Sequence, residues 1–283
     1  MNKLFKASFS IILISVLLGS TTSRAAYGVI VGQSFDYEVV ASSWEILFGT
    51  NSSSGTGFSF LDTTQAVGTQ FEVEVTQVET SSVDWNLTIG IDTITGSNTQ
   101  FDVFSIIMLI VMPALIVDQS PIDWNQTEMD QGIEIIELFF LDPTQVWDTF
   151  YDLSQDDIIT DLEENPEWNF EDVGGYFYTQ LNIAVFEWCF DGTYTNSTDI
   201  FSGDYTFQIA YDASTGQVKG IYYDIDYSGT LNGESIIYKT EHKFEEVGYN
   251  LPIIPTIPEF KWFIALPIVA TLSCIVVFRR RNK

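Results

Sequence analysis

Residues 205–227 read YTFQIAYDASTGQVKGIYYDIDY, and this stretch decides the fold class. Tyr205, Phe207, Ile209 and Tyr211 recur at every second position up to the turn cluster Asp212-Ala213-Ser214-Thr215-Gly216, and Ile221, Tyr223, Ile225 and Tyr227 resume the pattern beyond it. A period of two marks a strand with one buried face, and Asp and Gly at the tip close a hairpin. A second turn, Asn232-Gly233, makes this the first of two successive hairpins in a β-rich region from Tyr176 to Glu246.

The same signal opens the chain's first half. From Gly32 to about Asp92, runs such as Phe35, Tyr37, Val39 and Phe71, Val73, Val75 alternate with polar residues, as antiparallel strands with one wet face do. Two of these runs share a pattern, Val31-Gly32-x-x-Phe35-x-x-Glu38-Val39 and Val67-Gly68-x-x-Phe71-x-x-Glu74-Val75. It reads either as a duplicated hairpin or as the shared grammar of glycine-led strands.

Between the two β halves lies a segment of another kind. Val103 to Val117 is almost wholly apolar, and Val146 to Leu153, with Trp147, Phe150 and Tyr151 among aspartates, has amphipathic helical spacing. About 103–165 therefore reads as a central helical insertion. Val103 to Val117 is too short to cross a bilayer, contains Pro113 and is flanked by Asp102 and Asp118. It is expected inside the domain core, lining an apolar cavity, or against the lipid surface. The fold class expected is mainly β (α+β): an antiparallel curved sheet, barrel-like or sandwich, with this insertion and one C-terminal transmembrane helix.

The ends place the chain. Lys3 and Lys6, an apolar run from Ala7 to Leu18, and small residues up to Ala25 form a three-part signal peptide over 1–25. The β-rich domain occupies 26–250, a Pro-rich linker 251–261, an anchoring helix 262–278 and a basic tail 279–283. Arg279, Arg280 and Arg281 act as the membrane stop and keep the C-terminus cytoplasmic, so the domain lies on the extracellular side of the membrane as a single-pass protein.

The stretch Ile257-Pro258-Glu259-Phe260, followed by an apolar helix with Ala265-Leu266-Pro267 and the Arg triplet, resembles the PEF-type and PGF-type C-terminal sorting signals of archaeal surface proteins. That resemblance implies Pro258, Glu259 and Phe260 as the sorting motif and an archaeosortase-like processing enzyme as a partner. The domain is also similar to choice-of-anchor surface proteins of Asgard-type archaea, through residues 31–39 (VGQSFDYEV) and Gly248-Tyr249-Asn250-Leu251-Pro252. The turn Tyr211-Asp212-x-x-Thr215-Gly216 between long strands resembles the meander of LolA-like or lipocalin-like carriers.

Charge narrows the function classes. Thirty-eight acids against Lys219, Lys239 and Lys243 give the span from Asp36 to Pro258 a charge of about −35, against −28 for the whole chain. Such a field repels nucleic acid and attracts cations, divalent ones included. Cys274 belongs to the anchor, so Cys189 has no disulfide partner in the domain and reads as a buried small side chain. The single histidine, His242, flanked by Glu241 and Lys243, reads as a surface or core-edge residue. No catalytic motif, metal-ligand spacing or cofactor-binding signature is present, and no cofactor is expected. The acidic run Asp152, Asp156, Asp157, Asp161, Glu163, Glu164 lacks the spacing of a calcium loop and reads as a solvated helix face. Sequons at Asn51, Asn86, Asn125 and Asn196 fit a glycoprotein. The reading is a non-enzymatic surface protein with a structural or interaction role. The alternative is a carrier of an apolar or lipid-like ligand, and the weaker one a hydrolase using two carboxylates.

Overall fold

A computed structural model describes residues 27–100, 102, 106, 133–155, 166–231 and 233–252. The chain divides into two compact units, Met1–Leu251 and Pro252–Lys283. Among the described residues no helix is long and apolar enough to cross a membrane. The anchor segment, the sorting motif and nearly all of Val103 to Val117 lie outside them.

The deciding stretch forms β10 (Ile200–Asp212) and β11 (Val218–Leu231), with Tyr205 opposite Ile225, Phe207 opposite Tyr223 and Ile209 opposite Ile221. Asp212 shapes the tip: its Oδ1 accepts from the amides of Ser214 (2.8 Å) and Thr215 (3.0 Å), and Gly216 closes the turn with φ +77°. A side chain there would also strike the carbonyl oxygen of Leu141, so glycine is required on two counts. β12 (Glu234–Glu246) continues the meander after Gly233. On the other side β9 (Ile183–Thr195) pairs with β10, and β8 (Trp168–Gln180) with β9. The tight turn joining those two uses Leu181 (φ 49°) and Asn182 (φ 69°) in the left-handed region. Asn182 Nδ2 donates to Asp212 Oδ1 (3.0 Å), which ties the two hairpin tips together.

The first half supplies β1 (Ser34–Phe48), β2 (Asn51–Thr56), β3 (Phe58–Phe60), β4 (Thr63–Gln65), β5 (Gln70–Val78), β6 (Ser82–Ile89) and β7 (Asp92–Thr99). β3 and β4 form a small separate pair. All other strands join one ten-stranded antiparallel sheet in the order β7-β6-β5-β1-β12-β11-β10-β9-β8, with β2 added on β1. Among the described residues the two ends of that order, β7 and β8, do not pair with each other.

The repeated pattern falls on two strands that pair with each other. β1 and β5 pair antiparallel, with Phe35 opposite Val73 and Tyr37 opposite Phe71, so the two copies face one another about a local two-fold axis. Gly32 N donates to Val75 O and Gly68 N donates to Val39 O, both at 2.8 Å. Each copy then carries a register shift at the equivalent place, Val39/Ala41 in β1 and Val75/Gln77 in β5. Of the two readings the sequence allowed, a duplicated unit accounts for the matched bonds and bulges; a shared strand grammar would not fix them in pairs.

One face of the sheet is largely apolar and feeds a single core; a sheet this wide must coil to gather its face into one cluster. Residues Ile133–Leu141 cross this inner face as an extended strap. Of the helical insertion expected over about 103–165, the described residues are Ile106 and 133–155: Ile106 is helical and α1 (Pro143–Leu153) is a helix, whereas Ile133–Leu141 is extended. The physical reason is that the strap's amides are claimed from outside. Phe139 N and Phe140 N both donate to Asn98 Oδ1 (3.0 and 3.1 Å), while Leu141 N bonds Gly216 O and Val218 N bonds Phe139 O (2.8 Å each). Helix becomes possible only at Asp142, whose carboxylate caps Thr144 N (3.0 Å), with Pro143 in the first turn. α1 buries Val146, Thr149, Phe150 and Leu153, and Phe150 stacks on Phe186 with ring centroids 4.3 Å apart. Burial of that one ring contributes about 2–3 kcal/mol.

The outer face is wet over most of the sheet but not over β9 and β10. Ala184 to Phe190 are buried on both faces, as in a strand covered twice. Leu251 supplies part of the cover by packing on Val185 and Ala210.

Candidate functional site

Among the polar side chains buried on the inner face is His242. The sequence placed this residue at the surface or core edge; it is fully buried, which corrects that expectation. Its neighbours two positions away on the same face, Thr240 and Phe244, are buried as well, and that period-two signal was available in the sequence. A charged residue on each side is no guide, because both point to the opposite face.

The imidazole sits in a box of Phe58 (ring centroids 6.4 Å), Tyr223 (5.6 Å) and Phe244 (6.3 Å). Its Nδ1 contacts Ser42 Oγ at 3.2 Å, and Ser42 Oγ in turn donates to Gly57 O at 2.6 Å. The serine proton is thereby committed, so Nδ1 carries the imidazole hydrogen and donates, which leaves Nε2 as a bare acceptor. Nε2 is buried and has no partner. This Ser–His contact is not an activated nucleophile, since the hydroxyl proton points at a carbonyl rather than at the ring. Burial alone pushes the imidazole down to about 4, so the ring is neutral at ordinary pH.

Two further polar groups lie on the same face. Tyr227, opposite Tyr238 on β12, is buried with its phenol oxygen unpartnered, and burial raises that phenol well above its usual range. The Thr240 hydroxyl is also buried, next to the Tyr238 phenol with which it interacts. Leaving a buried polar group unmade costs about 1–3 kcal/mol, and native folds rarely tolerate several in one place without something to satisfy them. Nε2 of His242 offers an acceptor and the Tyr227 phenol a donor on the same inner face, four residues apart along the sheet, since His242 stands opposite Tyr223. Ile106, a described residue of the apolar run Val103 to Val117, is buried in the same core.

The sites expected from sequence fall elsewhere. Asn51 opens β2 and Asn86 lies on the half-exposed face of β6. Asn196 is engaged: its Nδ2 donates to Tyr194 Oη and Asp199 Oδ2, both at 3.0 Å, and its Oδ1 accepts from Thr198 N at 2.7 Å. A glycan on that nitrogen would have to break this turn. Asn125, Pro258, Glu259, Phe260, Arg279, Arg280 and Arg281 lie outside the described residues, as do Asp156 to Glu164. Asp152 is exposed on α1, and no group of three or more metal-ligating side chains occurs among the described residues. Cys189 is buried, and burial first, then Asp172, Glu187 and Asp204, pushes its thiol up to about 12, away from reactivity. A shallow open hollow of about 340 Å³ lies at the start of α1 between Trp147 and Ala213.

No protein-family model matches the chain, and no curated protein matches it significantly.

Proposed function

We propose that the chain is a membrane-anchored protein of the extracellular surface whose β domain binds an apolar molecule bearing a hydroxyl-type group against its inner face. The observation that carries this reading is the buried, partnerless Nε2 of His242, with the equally partnerless Tyr227 phenol on the same aromatic face. A purely structural coat protein would have no use for such groups, whereas a carrier presents them to its ligand. The finer architecture proposed with it is a barrel-like closure of the curved sheet around that ligand.

The placement of the domain rests on the sequence: a signal peptide over 1–25, a helix at 262–278 and the basic stop Arg279 to Arg281. Tyr27 and Val29 are already buried, which fits a mature domain starting directly after residue 25, and Leu251 is buried while Pro252 is exposed. Processing at Pro258-Glu259-Phe260 by an archaeosortase-like enzyme, glycans at Asn51 or Asn86, and divalent cations on the acidic exterior belong to the same proposal.

Native mass spectrometry of residues 26–258, purified without added ligand, tests it. The expected spectrum carries a lipid-sized adduct that disappears on denaturation. A bare mass equal to chain plus glycans sinks the carrier reading and returns the protein to a structural role.

A further inference from the structure

The outer face holds a second unsatisfied pair, on the side of β9 and β10 away from the proposed ligand. Tyr176, Glu187, Gln208 and Tyr222 stand opposite one another on β8, β9, β10 and β11 and so form one cross-strand row. Glu187 and Gln208 are each 1% exposed. Gln208 Nε2 donates to Glu187 Oε2 at 2.9 Å, which fixes the amide's orientation. Glu187 Oε1 and Gln208 Oε1 are then left as two neighbouring buried acceptors with no donor.

What lies around them selects the missing partner. Asp172, Asp191, Asp204 and Asp226 form a parallel row across the same four strands, and only at its end does Lys239 neutralise one of them, through Asp226 Oδ2 at 2.7 Å. Lys243, the other cation of this face, is held by Glu245 at 2.9 Å. An anion is repelled from such a face, and a cation is drawn to it. A metal ion would want more oxygens than two, and no cluster of three or more ligating side chains stands among the described residues. Two acceptors flanked by tyrosine rings suit N–H donors carrying a positive charge, which the ring faces also attract.

From this arrangement we propose that Glu187 and Gln208 form a binding site for a primary alkylammonium ligand, with the rings of Tyr176 and Tyr222 as its walls. The ammonium donates one N–H to Glu187 Oε1 and another to Gln208 Oε1. Tyr176 and Tyr222 are only half-buried, so rotation of their side chains opens the site without breaking a strand. Burial pushes the Glu187 carboxyl up to about 7, against the Gln208 hydrogen bond that lowers it, so at pH 8 it presents its charge to the ligand.

The test is calorimetric titration of the full chain in lipid nanodiscs at pH 8, with n-butylammonium chloride, tetramethylammonium chloride and sodium chloride as probes. Butylammonium is expected to bind saturably at one site, while tetramethylammonium, which has no N–H, and sodium do not. Glu187→Gln keeps the shape and removes the charge, and is expected to weaken butylammonium at least about tenfold, the loss of one charge-assisted hydrogen bond. Should that variant not fold, Gln208→Met removes the second acceptor and serves in its place. A silent butylammonium titration, equal binding of tetramethylammonium, or undiminished binding by the variant overturns the proposal and leaves the pair to ordered water.

Discussion

Replacing Phe139 by alanine is expected to lower the free energy of unfolding by about 3–5 kcal/mol, the range for deleting a fully buried aromatic ring. Phe139 has no exposed surface and touches four rings: Tyr37 (5.7 Å), Phe71 (6.0 Å), Phe244 (6.0 Å) and, edge to face, Trp85 (5.0 Å). Those rings come from β1, β5, β12 and β6, so one side chain of the strap spans both copies of the repeated unit. Trp85 stands opposite Val75, and Phe244 opposite Val39, which are equivalent positions about the local two-fold axis. The cavity cannot close by a small shift, because four strands would have to move together. Urea unfolding measures the loss, and a value under about 1 kcal/mol would mean that the strap does not dock on the sheet as described.

The second large effect is expected at Asn98. This residue is 2% exposed on β7, and its Oδ1 accepts from Trp85 Nε1 (3.0 Å) as well as from the amides of Phe139 and Phe140. Its Nδ2 donates to Asp102 Oδ2 and to Glu137 O, both at 2.9 Å. Asn98→Leu preserves volume but strands three buried N–H groups at once. At about 1–3 kcal/mol per unmade bond, with some relief from relaxation, the expected loss is about 3–5 kcal/mol by urea unfolding. Asn98→Asp keeps the acceptor and loses the donor, and places a second carboxylate beside Asp102. Its destabilisation should therefore ease as pH falls and the new carboxyl takes up a proton. Since Asn98 and Phe139 both hold the strap, their double variant should lose less than the sum of the two single losses. Full additivity would show that the strap is not a cooperative unit.

The β10–β11–β12 meander was legible because each turn carries Asp or Gly at the position that needs it and each strand alternates. α1 was legible from its apolar spacing. The strap was not, because Ile133 to Leu141 is apolar in a pattern that suits helix as well as strand, and its conformation is set by a side chain about forty residues earlier in the chain, Asn98. The Leu181-Asn182 turn lacked its usual glycine; contacts from Asp212 and Ser214 to Asn182 replace the missing local preference. The sites were hidden for a related reason. His242, Tyr227 and the Glu187–Gln208 pair are joined only by strand register, and register across five strands is a long-range property that local periodicity does not contain.

The most direct test of the inner-face reading uses the fact that His242 is the chain's only histidine. Selective ¹⁵N labelling of histidine then gives two ring-nitrogen signals that need no assignment. In the folded protein they should show a hydrogen on Nδ1 and none on Nε2, with no titration between pH 5 and 8 because burial holds the ring neutral down to about 4. The sign for stability follows: the unfolded ring binds its proton near 6.5, so stability falls as pH drops through 6.5 toward 4. Stripping the protein with organic solvent and refolding it should move the Nε2 resonance while leaving Nδ1 nearly fixed, and adding back the extract should restore it. A ring that titrates near 6.5, or an Nε2 signal indifferent to the extract, would contradict the account.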